Sequence, residues 1–281
     1  MASYKKLVFG KHLFLILFSL IMIYPLLWLF LSSLKPNDEI FSTIKLIPTQ
    51  WLWKNYAIGW KAIPGYHFGV FFLNTFKVVG LIMFGNVLST TMAAYSFARL
   101  RFPMKGILFA VLMGTLMFPQ QILLIPRYVL FSRFGWTNSY APLIVPAFAA
   151  QVSGAFFVFL MVQFMRGIPK ELDEAAIVDG CGFFRVFWNI LLPNCTPAIF
   201  TIGLFSFMWA WNDFLNQLIY INDVGDFTIS LALRLFLDNA AAVNWGPLFA
   251  MSILSLFPLL VLFFGAQRFF VEGIATTGVK G

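Results

Sequence analysis

Glu171, Asp173 and Glu174 crowd the start of the segment ELDEAAIVDGCGFFRVFWNILLP, residues 171–193, in a chain of 281 residues that is 60% hydrophobic and 11% charged. Carboxylates at that density can serve acid–base or metal chemistry, but the partners for either are missing. His12 and His67 stand alone, Cys181 and Cys195 form no CxxC pair, and no Ser-His-Asp set can be assembled. No metal site is expected. A GxxxxGK[ST] phosphate loop is absent as well, so ATP binding by that route is excluded and the chain is not expected to be an enzyme.

The chemistry these acids suit is contact. Locally the segment reads as a helix, a turn and a second helix. Pro169 suits the first helical turn, and the three acids meet the positive end of the helix dipole. Ala175 and Ala176 are small enough to let another backbone approach, and Gly180, helped by Gly182, can take the positive φ of a turn. Asp179 is expected to cap or stabilise that turn. Phe183, Phe184, Phe187, Trp188 and Leu191 make an apolar second helix that Pro193 should close. A helix lying on the inner leaflet would be basic, because those lipids are anionic. An acidic, small-residue helix reads instead as a docking element for another protein.

A second group lies in WAWNDFLNQ, residues 209–217. Asp213 is ionisable within an apolar run, where polar groups are costly and functional by default. Asn212 and Asn216, spaced i, i+4, are expected on one helical face. Trp209 and Trp211 add aromatic surface of the kind that stacks on sugar rings, and Gln151 is a weaker polar candidate. These groups line a substrate path, hold helices together or bind a neighbouring subunit.

Six apolar stretches are long enough to carry such residues across ~30 Å of hydrocarbon as helices. They fall near 12–34, 70–97, 107–130, 141–164, 197–221 and 247–270, within one transmembrane domain that spans 1–281. The first follows Lys5, Lys6 and Lys11 and lacks a small-residue cleavage pattern, so it reads as a retained anchor. The bases of the +8 chain sit at the ends of apolar runs, which argues for topology over nucleic-acid binding. With the N-terminus inside, Lys5, Lys6, Lys11, Arg99, Arg101, Lys105, Arg166, Lys170, Arg185, Arg268 and Lys280 face the cytoplasm. Lys35, Lys45, Lys54, Lys61, Arg127, Arg133 and Arg234 face out, with Lys77 near the outer end of its span. Both termini are therefore expected in the cytoplasm. So is the acidic segment, between spans four and five. The outer loop 35–69 carries PTQWLWKNYAIGW, which serves either as an interfacial aromatic belt or as a docking surface for an extracytoplasmic partner.

The spacing of Glu174, Ala175, Ala176, Gly180, Ile190 and Pro193 resembles the EAA loop of ABC-importer permeases. AAYSFARLRFP, IPKELDEAAIVDG, WNDFLNQLIY and the tail QRFFVEGIATTGVKG extend the resemblance, over nearly the whole chain, to the MalG-like permease subunit of carbohydrate importers. Cys181-Gly182 departs from the pattern, which usually has a serine there after alanine or cysteine. The resemblance implies an all-α polytopic protein of the type I importer fold in a prokaryotic plasma membrane, with a coupling loop at 167–193. It also implies a MalF-like second permease, two ATP-binding subunits that hold the ATP and Mg, and an extracytoplasmic solute-binding protein. A sugar or oligosaccharide would be the cargo; glycerol-phosphate compounds are the alternative, and a secondary transporter or channel would need an internal repeat or charged relay that is not seen. Within the loop, the resemblance makes Glu174 the polar contact to the ATP-binding subunit, Ala175 the close-packed position and Gly180 the turn, with Glu171, Ala176 and Asp179 beside them. The tail 276–281 is either a frayed end or a second contact to those subunits.

Overall fold

The computed structural model describes residues 2–150, 154–238 and 243–278. Among them the chain is helical, with no strand. Gln151 and Lys280 lie outside the described residues, as do positions 279–281 of the tail, while the backbone of 276–278 continues the last helix.

Four helical stretches are by themselves long and apolar enough to cross a membrane: Val8–Ser33, Phe68–Arg99, Ala141–Gly167 and Trp245–Ala266. Two bent pairs bring the number to six. The expected span 107–130 is not one rod. Helix Lys105–Thr115 stops, and Gln120–Arg133 leaves at 96° to it. Pro119, extended at ψ 126°, starts the new direction because proline ahead of a helix lacks the N–H that would continue the old one. The expected span 141–164 also breaks internally, through a 3-10 turn at Val145–Ala149 around Pro146 and a left-handed Ala150. The expected span 197–221 ends early: helix Thr196–Trp211 is followed by a separate helix Leu215–Tyr220.

By contacts the chain resolves into two compact units, residues 1–70 with 232–258 and residues 71–231 with 259–281. In the first, the loop 35–69 is folded on its own unit rather than free. Lys35, 1% exposed, gives its ammonium to Lys45 O at 2.6 Å, and the buried Glu39 carboxylate accepts from Thr49 Oγ1 at 2.7 Å. Asn55 Nδ2 donates to Ser33 O and Lys35 O, and Asn37 ties to Val243 O and Trp245 N. Trp51 and Trp53 stay exposed on this loop, so both readings of its aromatics persist.

The second unit is organised around helix Phe68–Arg99, whose ends meet different loops. Near its start Asn74 Nδ2 donates to Gly225 O and Phe227 O, and Lys77 lies 5.4 Å over the Tyr140 ring. At its far end, ~33 Å from Lys77 at 1.5 Å per residue, Arg99 and Tyr95 meet the segment 168–183. A buried apolar cluster holds that end together: Ala94, Phe157, Met161, Met165, Val186, Phe187, Leu191 and Ile202.

Candidate functional site

The acidic helix forms where the dipole argument places it, as Glu171–Val178, with Glu171, Asp173 and Glu174 in its first turn. Pro169 sits ahead of the helix rather than in its first turn, and Lys170 is the cap. Gly180 ends it at φ +82°. A Cβ there would meet nothing within 4 Å, so the backbone angle and not space is what calls for glycine. The turn closes through Gly180 N–H to Ile177 O and Cys181 N–H to Ala176 O. Asp179 takes part through its backbone, N–H to Ala175 O, and not through its exposed carboxylate.

Burial divides this helix into two faces. Ala176 is 6% exposed and joins the apolar cluster, so its small size serves packing within the chain. Glu171, Glu174, Ala175, Val178 and Asp179 are exposed on the other side, followed by Phe183 and Phe184. Asp173 does neither. Its Oδ2 lies 2.7 Å from Arg99 Nε, the side chains 13% and 5% exposed, and Arg99 Nη2 donates to Ile168 O at 2.8 Å. One arginine at the end of a membrane span thus grips both the acidic helix and the segment entering it. Burial pushes the Asp173 carboxyl above its ordinary pKa, Arg99 opposes this, and Glu174 adds to the rise. Sequence reasoning assigned Arg99 only to topology, and an isolated charge carries no signal for its partner.

After the turn the chain does not stop at Pro193. Helix Phe183–Val186 runs into a π-helical turn at Phe187–Leu191 and on through Leu192–Asn194. The break comes at Cys195, where the direction changes by 78° into Thr196–Trp211. Proline cannot donate to the carbonyl four residues back, and the wide turn ahead of it is where the helical ladder changes register.

The second group of residues is split by the early end of helix Thr196–Trp211. Asn212 is its C-cap, exposed, and donates to Met208 O at 2.8 Å. Asn216 lies in the first turn of the next helix, Leu215–Tyr220, so the two amides do not share the helical face that their spacing predicted. Asn216 is instead bound to Asp213, with Nδ2 at 3.1 and 3.0 Å from the two carboxylate oxygens and its backbone N at 3.2 Å. Trp211, 5% exposed, is packed on Phe207 and Phe76. Trp209, 44% exposed, stacks one face on Phe157, with centroids 5.0 Å apart. Asp213, Asn216 and Trp209 line a cavity of about 310 Å³ within the second unit, together with Gln120, Gln121, Arg127, Asn86 and Ser206. Asn86 and Ser206 escaped the sequence reading, although each is a polar residue within an apolar run and the cost of burying it was the signal. The bend after Pro119 is what brings Gln120, Gln121 and Arg127 to this wall.

Broken helices around a cavity with polar and charged groups set in a largely apolar wall, with an acidic helix exposed at one end of the bundle, make up an importer permease fold. A crystal structure of a bacterial ABC transporter involved in the import of the acidic polysaccharide alginate contains a chain of the same fold, with TM-score 0.83 at 17% identity over 96% of this chain and 98% of that one. The chain belongs to the binding-protein-dependent transport system inner membrane component family, which matches residues 85–276. It is 30% identical to the diacetylchitobiose uptake system permease protein NgcG of Streptomyces coelicolor over 92% of this chain and 84% of the relative. To the sn-glycerol-3-phosphate transport system permease protein UgpE of Yersinia pestis it is also 30% identical, over 94% of both. It is thus a membrane-spanning ABC-importer permease of the inner membrane.

Proposed function

We propose that this chain is the permease subunit that couples ATP hydrolysis by partner subunits to uptake of a sugar or oligosaccharide by alternating access. It works with a second permease, two ATP-binding subunits and an extracytoplasmic solute-binding protein. The observation that carries this reading is the exposed face of helix Glu171–Val178, with Glu174 and Ala175 outward while Ala176 and Asp173 hold the helix to the membrane bundle. A helix gripped from behind and free in front can be moved as a body by a partner, and a ligand-driven change needs such a two-state element. The basic residues Arg99, Arg101, Lys105, Arg166 and Lys170 lie at helix ends and connections that meet at this end, which supports a cytoplasmic placement of the helix and of both termini.

Asp213, Asn216 and the cavity they line form the substrate path. Asn212 lies beside it, Trp211 supports it from the packed side, and Gln151 is an untested member. Cargo of the glycerol-phosphate class is the second reading. It is favoured by the relative UgpE and by Arg127, a guanidinium in the cavity wall.

The test is reconstitution with the co-purified partners and identification of the solute held by the binding protein. Glu174→Lys is expected to leave an inserted, assembled complex that no longer takes up that solute, and Gly180→Pro to do the same through the turn. Normal uptake by Glu174→Lys would remove the coupling role.

A further inference from the structure

Asn86 lies within helix Phe68–Arg99 and is 2% exposed, and its Nδ2 donates to Ser206 Oγ of helix Thr196–Trp211 at 2.8 Å. Its Oδ1 accepts from nothing among the described residues. Exchanging the amide O and N does not remove the deficit. Ser206 would then donate to the oxygen, and the NH2 would be left without an acceptor. Half of an amide's capacity is therefore unused at a site where burying it is costly. Helix-to-helix adhesion alone needs only the bond to Ser206. Asn86 and Ser206, each 2% exposed, belong to the wall of the 310 Å³ cavity, with the unused oxygen just beneath its surface.

The rest of that wall says what could complete it. Trp209 is held flat against Phe157 and keeps 44% of its surface exposed, which suits the C–H face of a sugar ring. Asp213 and Arg127 place one charge of each sign in the same wall. Hydroxyl groups both donate and accept, so they can serve Asn86 and Asp213 as well as Arg127 and the glutamines. A phosphate or carboxylate could use Arg127 but would face Asp213. The volume falls at the lower end of the usual ~300–1,000 Å³ for small-molecule sites.

We propose that this chain carries its own subsite for a neutral, polyhydroxylated solute of the sugar class, with Asn86 and Ser206 as its hydrogen-bonding floor and Trp209 as its apolar wall. The subsite rests on the importer reading and assigns part of the recognition of cargo to this subunit.

The test is equilibrium dialysis of the intact transporter complex, nucleotide-free and in detergent, against tritiated maltose and tritiated diacetylchitobiose, with unlabelled sn-glycerol 3-phosphate as competitor. At least one of the disaccharides is expected to bind without displacement by the phosphate ester. Asn86→Leu and Ser206→Ala should each weaken it about fivefold, the worth of one hydrogen bond, and Asn86→Ser should recover part of the loss. Each variant is read in preparations that still co-purify with the partner subunits, which separates lost binding from lost folding. Binding of neither disaccharide, competition by the phosphate ester, or unchanged affinity in Asn86→Leu and Ser206→Ala would overturn the subsite, the last meaning that water completes the amide. If the complex still couples ATP hydrolysis to uptake, only the subsite falls. If no complex with ATP-binding subunits forms, the importer reading falls and the subsite with it.

Discussion

The two ends of helix Thr196–Trp211 are built on opposite plans. Toward the acidic helix, the chain buries one ion pair and a cluster of Phe, Met and Leu side chains and turns its acids outward. Around Asp213, the helices stop, and the polar side chains turn toward a cavity. The first region is held from behind by a buried ion pair and apolar packing and leaves its acidic face uncovered among the described residues. The second gathers polar groups at a cavity and leaves part of their hydrogen-bonding capacity unused, as at Asn86 Oδ1.

The comparison breaks hardest at the ion pair. Removing one partner of a buried pair costs about 3–5 kcal/mol, because a charge is left unpaired. The two sides are not equivalent here. A stranded carboxyl can take up a proton, whereas a guanidinium stays charged. Asp173→Leu is therefore expected to cost the full amount and Arg99→Leu less, although the latter also loses the bond to Ile168 O. Thermal unfolding of the purified complex with each variant checks the order, and equal losses would mean that the pair does not carry the junction.

At the turn the expected effect is smaller. Gly180→Ala keeps the space but forces a Cβ into φ +82°, at about 1–2 kcal/mol. Gly182, extended at φ −75°, should accept alanine with little loss. A stability comparison of the two alanine variants tests whether Gly180 is needed for its angle.

A pH series probes the same junction with a defined sign. A carboxyl raised in the folded state takes up its proton there first, so falling pH favours the folded chain from that raised value down to the ordinary carboxylate value, and rising pH removes the gain. Asp173 is in that state, by burial first, against Arg99. The difference in melting temperature between the natural chain and Asp173→Asn should therefore move in favour of the natural chain as the buffer is taken from neutral to acid. The opposite slope would mean that Arg99 outweighs burial.

What could be read from the sequence differs between the regions for the same physical reason. Glu174, Ala175 and Gly180 are placed by spacing along one helix and its turn, and such periodicity survives without tertiary structure. The apolar runs likewise marked the membrane segments, because ~20 apolar residues are needed to cross hydrocarbon. The cavity depends on where helices break. Pro119, Pro146 and the end of helix Thr196–Trp211 redirect the chain, and proline in a membrane segment can be tolerated, can kink or can stop a helix according to its neighbours. Asn86 with Ser206 and Arg99 with Asp173 join residues 120 and 74 positions apart, and no local pattern pairs them. Trp209 and Trp211 show the same limit at short range: two positions apart in sequence, one faces the cavity and the other the packed side.

The smallest expected effect distinguishes a continuous helix from the broken one. Asn212→Ala removes a bond between an exposed amide and Met208 O, so its change in stability should stay within the ±0.5 kcal/mol usual at such surfaces. Asn216→Ala removes the donor to both Asp213 oxygens, and bonds to a charged group are worth about 1.5–3 kcal/mol, less at this exposed position. If both amides lay on one helical face toward one solute, as i, i+4 spacing implies, the two variants would weaken uptake alike. With the helix ending at Trp211, Asn216→Ala should impair uptake and Asn212→Ala should leave it near normal. Parallel uptake assays in proteoliposomes decide this. Equal impairment would restore the continuous helix and remove the break on which the cavity depends.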